Sequence, residues 1–111
     1  MAKNYVEDGN TMDWTNAGAA DVKSGDMVVV GDLVGVAVAD IPVSGDGVLL
    51  MTGVFSLPKS GVVTFEQGEK VYAVADGITN DPGSAPLNPV AGTAWRAAAA
   101  SDVICWVRLG F

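Results

Sequence analysis

A chain of 111 residues is one domain by length, and folding at this size buries roughly 65% of the unfolded surface, enough for a core without metal or disulfides. Half of the residues are hydrophobic and 17% are charged, with Val, Ala and Gly abundant and Leu sparse, which argues against disorder and suits packed strands better than long helices. The net charge of −7, from 13 acids against 6 bases with no run of one sign, repels nucleic acid and anionic membranes, because phosphate binding needs clustered Lys and Arg.

In chain order, residues 1–8 form an N-terminal arm that carries no apolar signal-peptide core, and no run of about 18 apolar residues can span a membrane. The expectation is a soluble protein made in the cytoplasm. Residues 9–111 form a single β domain. Thr11-Met12-Asp13-Trp14-Thr15 reads as a first strand that Asn16-Ala17-Gly18 breaks. Residues 27–30 and 33–39 are two Val-rich strands around a hairpin-type turn at Gly31-Asp32. Pro42 and Ser44-Gly45-Asp46-Gly47 mark the next turn, after which residues 48–57 read as one long strand with Leu49, Met51, Gly53, Phe55 and Leu57 inward. Residues 62–65 read as a linking strand and 71–74 as the next. Residues 76–89 form a loop rich in turn chemistry, Asn80-Asp81-Pro82-Gly83-Ser84 among it. Residues 95–100 have helix propensity over about one and a half turns, too short to be stable alone, and are assigned to a strand leading into a turn. The last strand, 103–109, puts Val103, Cys105, Val107 and Leu109 on one face and Ile104, Trp106 and Arg108 on the other.

Two stretches match. Ser24-Gly25-Asp26-Met27-Val28 is answered by Gln67-Gly68-Glu69-Lys70-Val71, and Gly35-Val36-Ala37 by Gly92-Thr93-Ala94. The offset grows from 43 residues at Gly25 and Gly68 to 57 at Gly35 and Gly92, so about 14 residues are added between, at residues 76–89. The fold class expected is all-β, a small β-barrel or β-sandwich-like domain with little helix, built from pseudo-repeats at about 24–57 and 67–111.

The chemistry is restricted. Without His there is no Ser-His-Asp or Cys-His arrangement, and the single Cys105 excludes both a cysteine zinc cluster and an intrachain disulfide. Glu7-Asp8 are solvated turn acids. Gly31-Asp32-Leu33-Val34-Gly35 lacks the basic residue and helix start of a phosphate loop. Asp76, Asn80 and Asp81 lack calcium-loop spacing and a closing Glu. No catalytic residue, cofactor site, metal site or small-molecule substrate is expected, and the chain is read as no enzyme.

Met1-Ala2-Lys3-Asn4-Tyr5-Val6, Gly31-Asp32-Leu33-Val34-Gly35-Val36-Ala37, Gly53-Val54-Phe55-Ser56-Leu57-Pro58-Lys59, Gly68-Glu69-Lys70-Val71-Tyr72 and Val107-Arg108-Leu109 follow one another in an order that resembles the small head decoration, or capsid cement, proteins of tailed phages. The resemblance runs the length of the chain. It implies a β-barrel-like virion protein on the outer surface of an icosahedral head, a homotrimer at local three-fold positions that clamps neighbouring subunits of the major capsid protein, with no nucleic-acid or membrane partner. Ala2, Lys3, Asn4, Tyr5 and Val6 are the expected capsid or protomer contact, by addition to a sheet edge, with Tyr5 as anchor. Trp106 and Arg108, an interface-like pair on an outward face, are the expected oligomer contact, with packing of Trp106 under its own loop as the alternative.

A rival class is a barrel-sandwich carrier of a cofactor. Gly25-Asp26-Met27-Val28 and Gly68-Glu69-Lys70-Val71 are similar to strand starts of biotinyl and lipoyl domains, yet none of Lys23, Lys59 and Lys70 has the setting of a modified lysine.

Overall fold

The computed structural model describes residues 3–84 and 87–110, among which there are nine strands and no helix. The strands are β1 Thr11–Thr15, β2 Met27–Val30, β3 Leu33–Ala37, β4 Asp46–Leu50, β5 Gly53–Pro58, β6 Lys70–Val74, β7 Gly77–Thr79, β8 Val90–Ala94 and β9 Ile104–Leu109. They pair antiparallel in two sheets, ordered β1-β4-β3-β2 and β5-β9-β8-β6-β7, that pack through β3 against β8. The protein is all-β, as its composition indicates.

β9 shows why these residues make strands. Cys105, Val107 and Leu109 are at most 2% exposed, while Ile104 and Trp106 are 46% and 39% exposed, so a period of two separates core from surface. The larger core joins Leu57, Phe65, Val71, Ile78, Val107 and Leu109 of the second half to Val34 and Val36 of β3. A smaller one gathers Val28, Ala37, Ile41, Leu49 and Met51. Asn16, 2% exposed, ties the smaller core to its loops: its amide nitrogen donates to the Ala20 and Ile41 carbonyls, and its side-chain oxygen accepts from the Gly18 amide.

Hydrogen bonds recur across the sheets at the offsets seen in the sequence. Gly25 N donates to Ala37 O at 2.9 Å, and Gly68 N to Ala94 O at 2.8 Å. Ala37 N donates to Asp26 O, and Ala94 N to Glu69 O. The acid of each turn accepts from the backbone three residues earlier, Asp26 from Lys23 N and Glu69 from Glu66 N. Gly25 and Gly68 have φ of +88° and +85°, the left-handed conformation that a Cβ disfavours, which is the physical reason both turns begin on glycine. Val22 bridges Ile41 as Phe65 bridges Ala98.

Four expectations need correction. Residues 48–57 are two strands in different sheets, parted at Met51–Thr52, because Gly53 at φ +116° turns the chain out of the first sheet. The continuous apolar run concealed the break. Residues 62–65 are no strand; a turn at Gly61–Val62 and one bridge at Phe65 replace it. Residues 95–100 bend after β8, as residues 38–41 bend after β3, and only Ala98 bridges back. Part of the 76–89 segment is β7, whose Ile78 is fully buried and forms a parallel bridge to Lys59 at the end of β5.

Candidate interaction surfaces

Of the three lysines weighed for a carrier role, Lys59 is buried while Lys23 and Lys70 are exposed. Lys59 is 7% exposed, and its ammonium donates to the Val63 and Ala99 carbonyls. Lys70 stands on β6, with its ammonium 5.9 Å from the Tyr72 ring centroid, and neither lysine sits at a hairpin tip. Cys105 is 2% exposed and its thiol contacts Leu57 O at 3.4 Å; burial, offset slightly by the Lys59 charge, pushes its pKa up to about 11, the behaviour of an inert core thiol. Among the described residues no three His, Cys, Asp or Glu side chains come together as a metal site.

The expected contact residues belong to two segments, the arm before β1 and the last strand, β9. Ala2 is outside the described residues. Lys3 and Asn4 form a turn, and Tyr5 and Val6 are 57% and 87% exposed. The Tyr5 hydroxyl donates to the Asp8 carboxylate, and that bond, ahead of burial and the Glu7 charge, raises the phenol above its usual pKa. The arm thus starts from a short turn fixed by its own acids.

Trp106 lies on the outward face of β9, its ring covered by the Arg96 guanidinium at 3.9 Å, a cation–π stack. The residue that covers it belongs to the bend that follows β8. Val54 and Ser56 of β5 line a shallow depression beside it. Arg108 follows on the same face, opposite Val54 and Thr93. Trp95, 48% exposed, completes a surface of aromatic and cationic groups. The sequence signals Trp106 and Arg108 through alternation, but not Arg96, which reaches Trp106 only because the chain bends after Ala94.

A groove of about 680 Å³ lies where the sheets meet. Met12, Leu33, Met51 and Val90 give it apolar walls. Glu7, Asp13 and Asp32 stand among its lining residues, which include no Lys or Arg. Its residues come from five separated segments, so no local motif announces it.

A family model described as phage cement protein matches residues 6–109 of this chain. The chain therefore belongs to the phage cement protein family, a structural family of the virion capsid. No curated protein and no solved structure matches it.

Proposed function

We propose that this protein, made in the host cytoplasm, decorates the outer surface of a tailed-phage icosahedral head and stabilises it by bridging neighbouring subunits of the major capsid protein, as a homotrimer and without chemistry. The observation that carries this reading is the family match across both sheets, residues 6–109. The exposed aromatic and cationic groups of β9 and its neighbours suit contact with another protein. Packaged DNA presses outward on a shell, and a clip across subunits raises the cost of parting them. Individually weak clips suffice, because binding at sites recurring over a lattice gains from multivalency.

The test is sedimentation of purified protein with empty, expanded heads. Binding at a fixed stoichiometry is expected, and absence of binding to any shell removes the reading. The arm, here the exposed Lys3, Asn4, Tyr5 and Val6 with Ala2 before them, supplies a contact to the capsid or to a neighbouring protomer. Deleting residues 1–6 is expected to weaken head binding by at least about tenfold, since a short strand added to a sheet edge contributes several main-chain hydrogen bonds. Unchanged binding by the deleted chain removes the arm from the contact. Trp106 and Arg108 belong to the trimer contact; a Trp106→Ala chain that still sediments as a trimer at micromolar concentration rules that out.

A further inference from the structure

The charge of this chain is divided unequally between its sheets. Residues 1–51, which hold the first sheet, carry eight acids and two bases, while residues 52–111 carry five acids and four bases. Two surfaces, one on each side of this division, differ in kind. One is the groove with Glu7, Asp13 and Asp32 around apolar walls. The other is the exposed bend of Trp95 and Arg96, with Arg96 stacked on Trp106 and Arg108 on the same face. Of the acids near that bend, Glu69 has its carboxylate engaged by the Glu66 amide and by Asn80, and Asp102 accepts from the Ala99 amide.

The two surfaces also lie at opposite ends of one strand. Val90 and Ala91, at the start of β8, line the groove; Trp95 and Arg96 follow its last residue. Five residues of strand hold them about 15 Å apart, at roughly 3.3 Å per residue. A bend fixed that far away cannot enter the groove of its own chain. Both surfaces are available to other copies, and each has what the other needs: a cation and aromatic rings on one, acids and apolar walls on the other.

We propose that copies of this protein join head to tail, the Trp95–Arg96 bend of one seating in the acid-lined groove of the next. Such an interface is heterologous: the two partners use different surfaces, so every copy keeps one surface open until the assembly closes into a ring. This rests on the oligomeric reading given above, and to the Trp106 and Arg108 face it adds the neighbouring bend and the groove that receives it. Arg96 meets Asp13 and Asp32, and Trp95 meets the apolar wall of Met12, Leu33 and Val90. Because the attraction joins exposed charges, it weakens with salt.

The experiment uses two variants of the full chain. Asp13→Lys with Asp32→Lys blocks the groove, and Trp95→Ala with Arg96→Glu blocks the bend; all four residues are exposed, so the sheets stay intact. By sedimentation velocity at low salt, the unaltered protein self-associates and each variant is monomeric. An equimolar mixture of the two then forms a one-to-one dimer and nothing larger, because one sound groove meets one sound bend and both outer ends are blocked. The neutral pair Asp13→Asn with Asp32→Asn weakens self-association about tenfold and gives the same answer without charge reversal. A monomeric unaltered protein, a variant that assembles like it, or a mixture that stays monomeric overturns the proposal. Self-association without head binding refutes decoration and leaves this interface standing; head binding by a protein that never self-associates does the reverse.

Discussion

Gly92→Ala is expected to destabilise the domain by about 4 kcal/mol or more, a large part of the total stability of a domain this size. Gly92 has φ of +152°, and a Cβ placed on it would lie 1.9 Å from the Arg108 carbonyl oxygen and 2.9 Å from its carbon. Both are backbone atoms of the pairing between β8 and β9, so the clash is relieved only by parting the strands. Gly35, its counterpart in the first sheet, tests the argument. There a Cβ would meet the Met51 sulfur at 2.7 Å, and the Leu49 Cβ and Leu50 carbonyl oxygen at 3.2 Å; the sulfur belongs to a flexible side chain, and the backbone contact is far looser than the 1.9 Å at Gly92. Gly35→Ala is therefore expected to cost only about 1–2 kcal/mol. Urea unfolding of the two variants measures the difference, and the argument fails where Gly35→Ala is the more damaging.

Lys59→Ala is expected to cost about 3 kcal/mol, partly from the cavity left by its stem and partly from two carbonyls that lose their donor. The ammonium joins residues distant in sequence, Val63 and Ala99, to the end of β5, and lies 5.9 Å from the Phe65 ring centroid. The turn after Gly61 and the bend after β8 are held at one point by a single charge. Lys59→Met keeps the stem and removes the charge, and is expected to cost about 2 kcal/mol, the worth of charged hydrogen bonds to otherwise unpaired acceptors. Burying a charge has its own cost, so the Met variant is the decisive one. If its thermal midpoint equals that of the unaltered protein, the ammonium holds nothing together and the stem alone matters.

Much of the fold was legible wherever turn chemistry marked strand ends. Gly31-Asp32 placed the hairpin of β2 and β3, and the Gly-acid steps at Gly25 and Gly68 located β2 and β6 to within a residue. The parity of β9 correctly separated Cys105, Val107 and Leu109 from Trp106 and Arg108, but it also put Val103 inward, and Val103 precedes the strand and is 76% exposed. Reading failed where an apolar run held no punctuation of that kind. Residues 48–57 pass from one sheet to the other, with only Gly53 to mark the crossing. Ile78 was hidden among turn residues, yet it is fully buried, because the hydrogen-bonding edge of β6 needed a partner that three residues could supply. The surfaces were less legible than the strands. Trp106 and Arg108 could be nominated from alternation, whereas the Arg96 stack and the acid-lined groove arise from segments that only the tertiary fold brings together.

The sharing of Val34 and Val36 with the second-half core also shapes how the chain folds. β1 pairs with β4 across residues 11 to 50, so the first sheet has all its strands early in synthesis. One of its faces nevertheless has nothing to pack on until Leu57, Val71, Val107 and Leu109 have left the ribosome. β5 in turn waits for β9, at the far end of the chain. Pairings this distant in sequence must overcome loop-closure entropy before they are rewarded, so the domain is expected to fold late, slowly and as one cooperative unit.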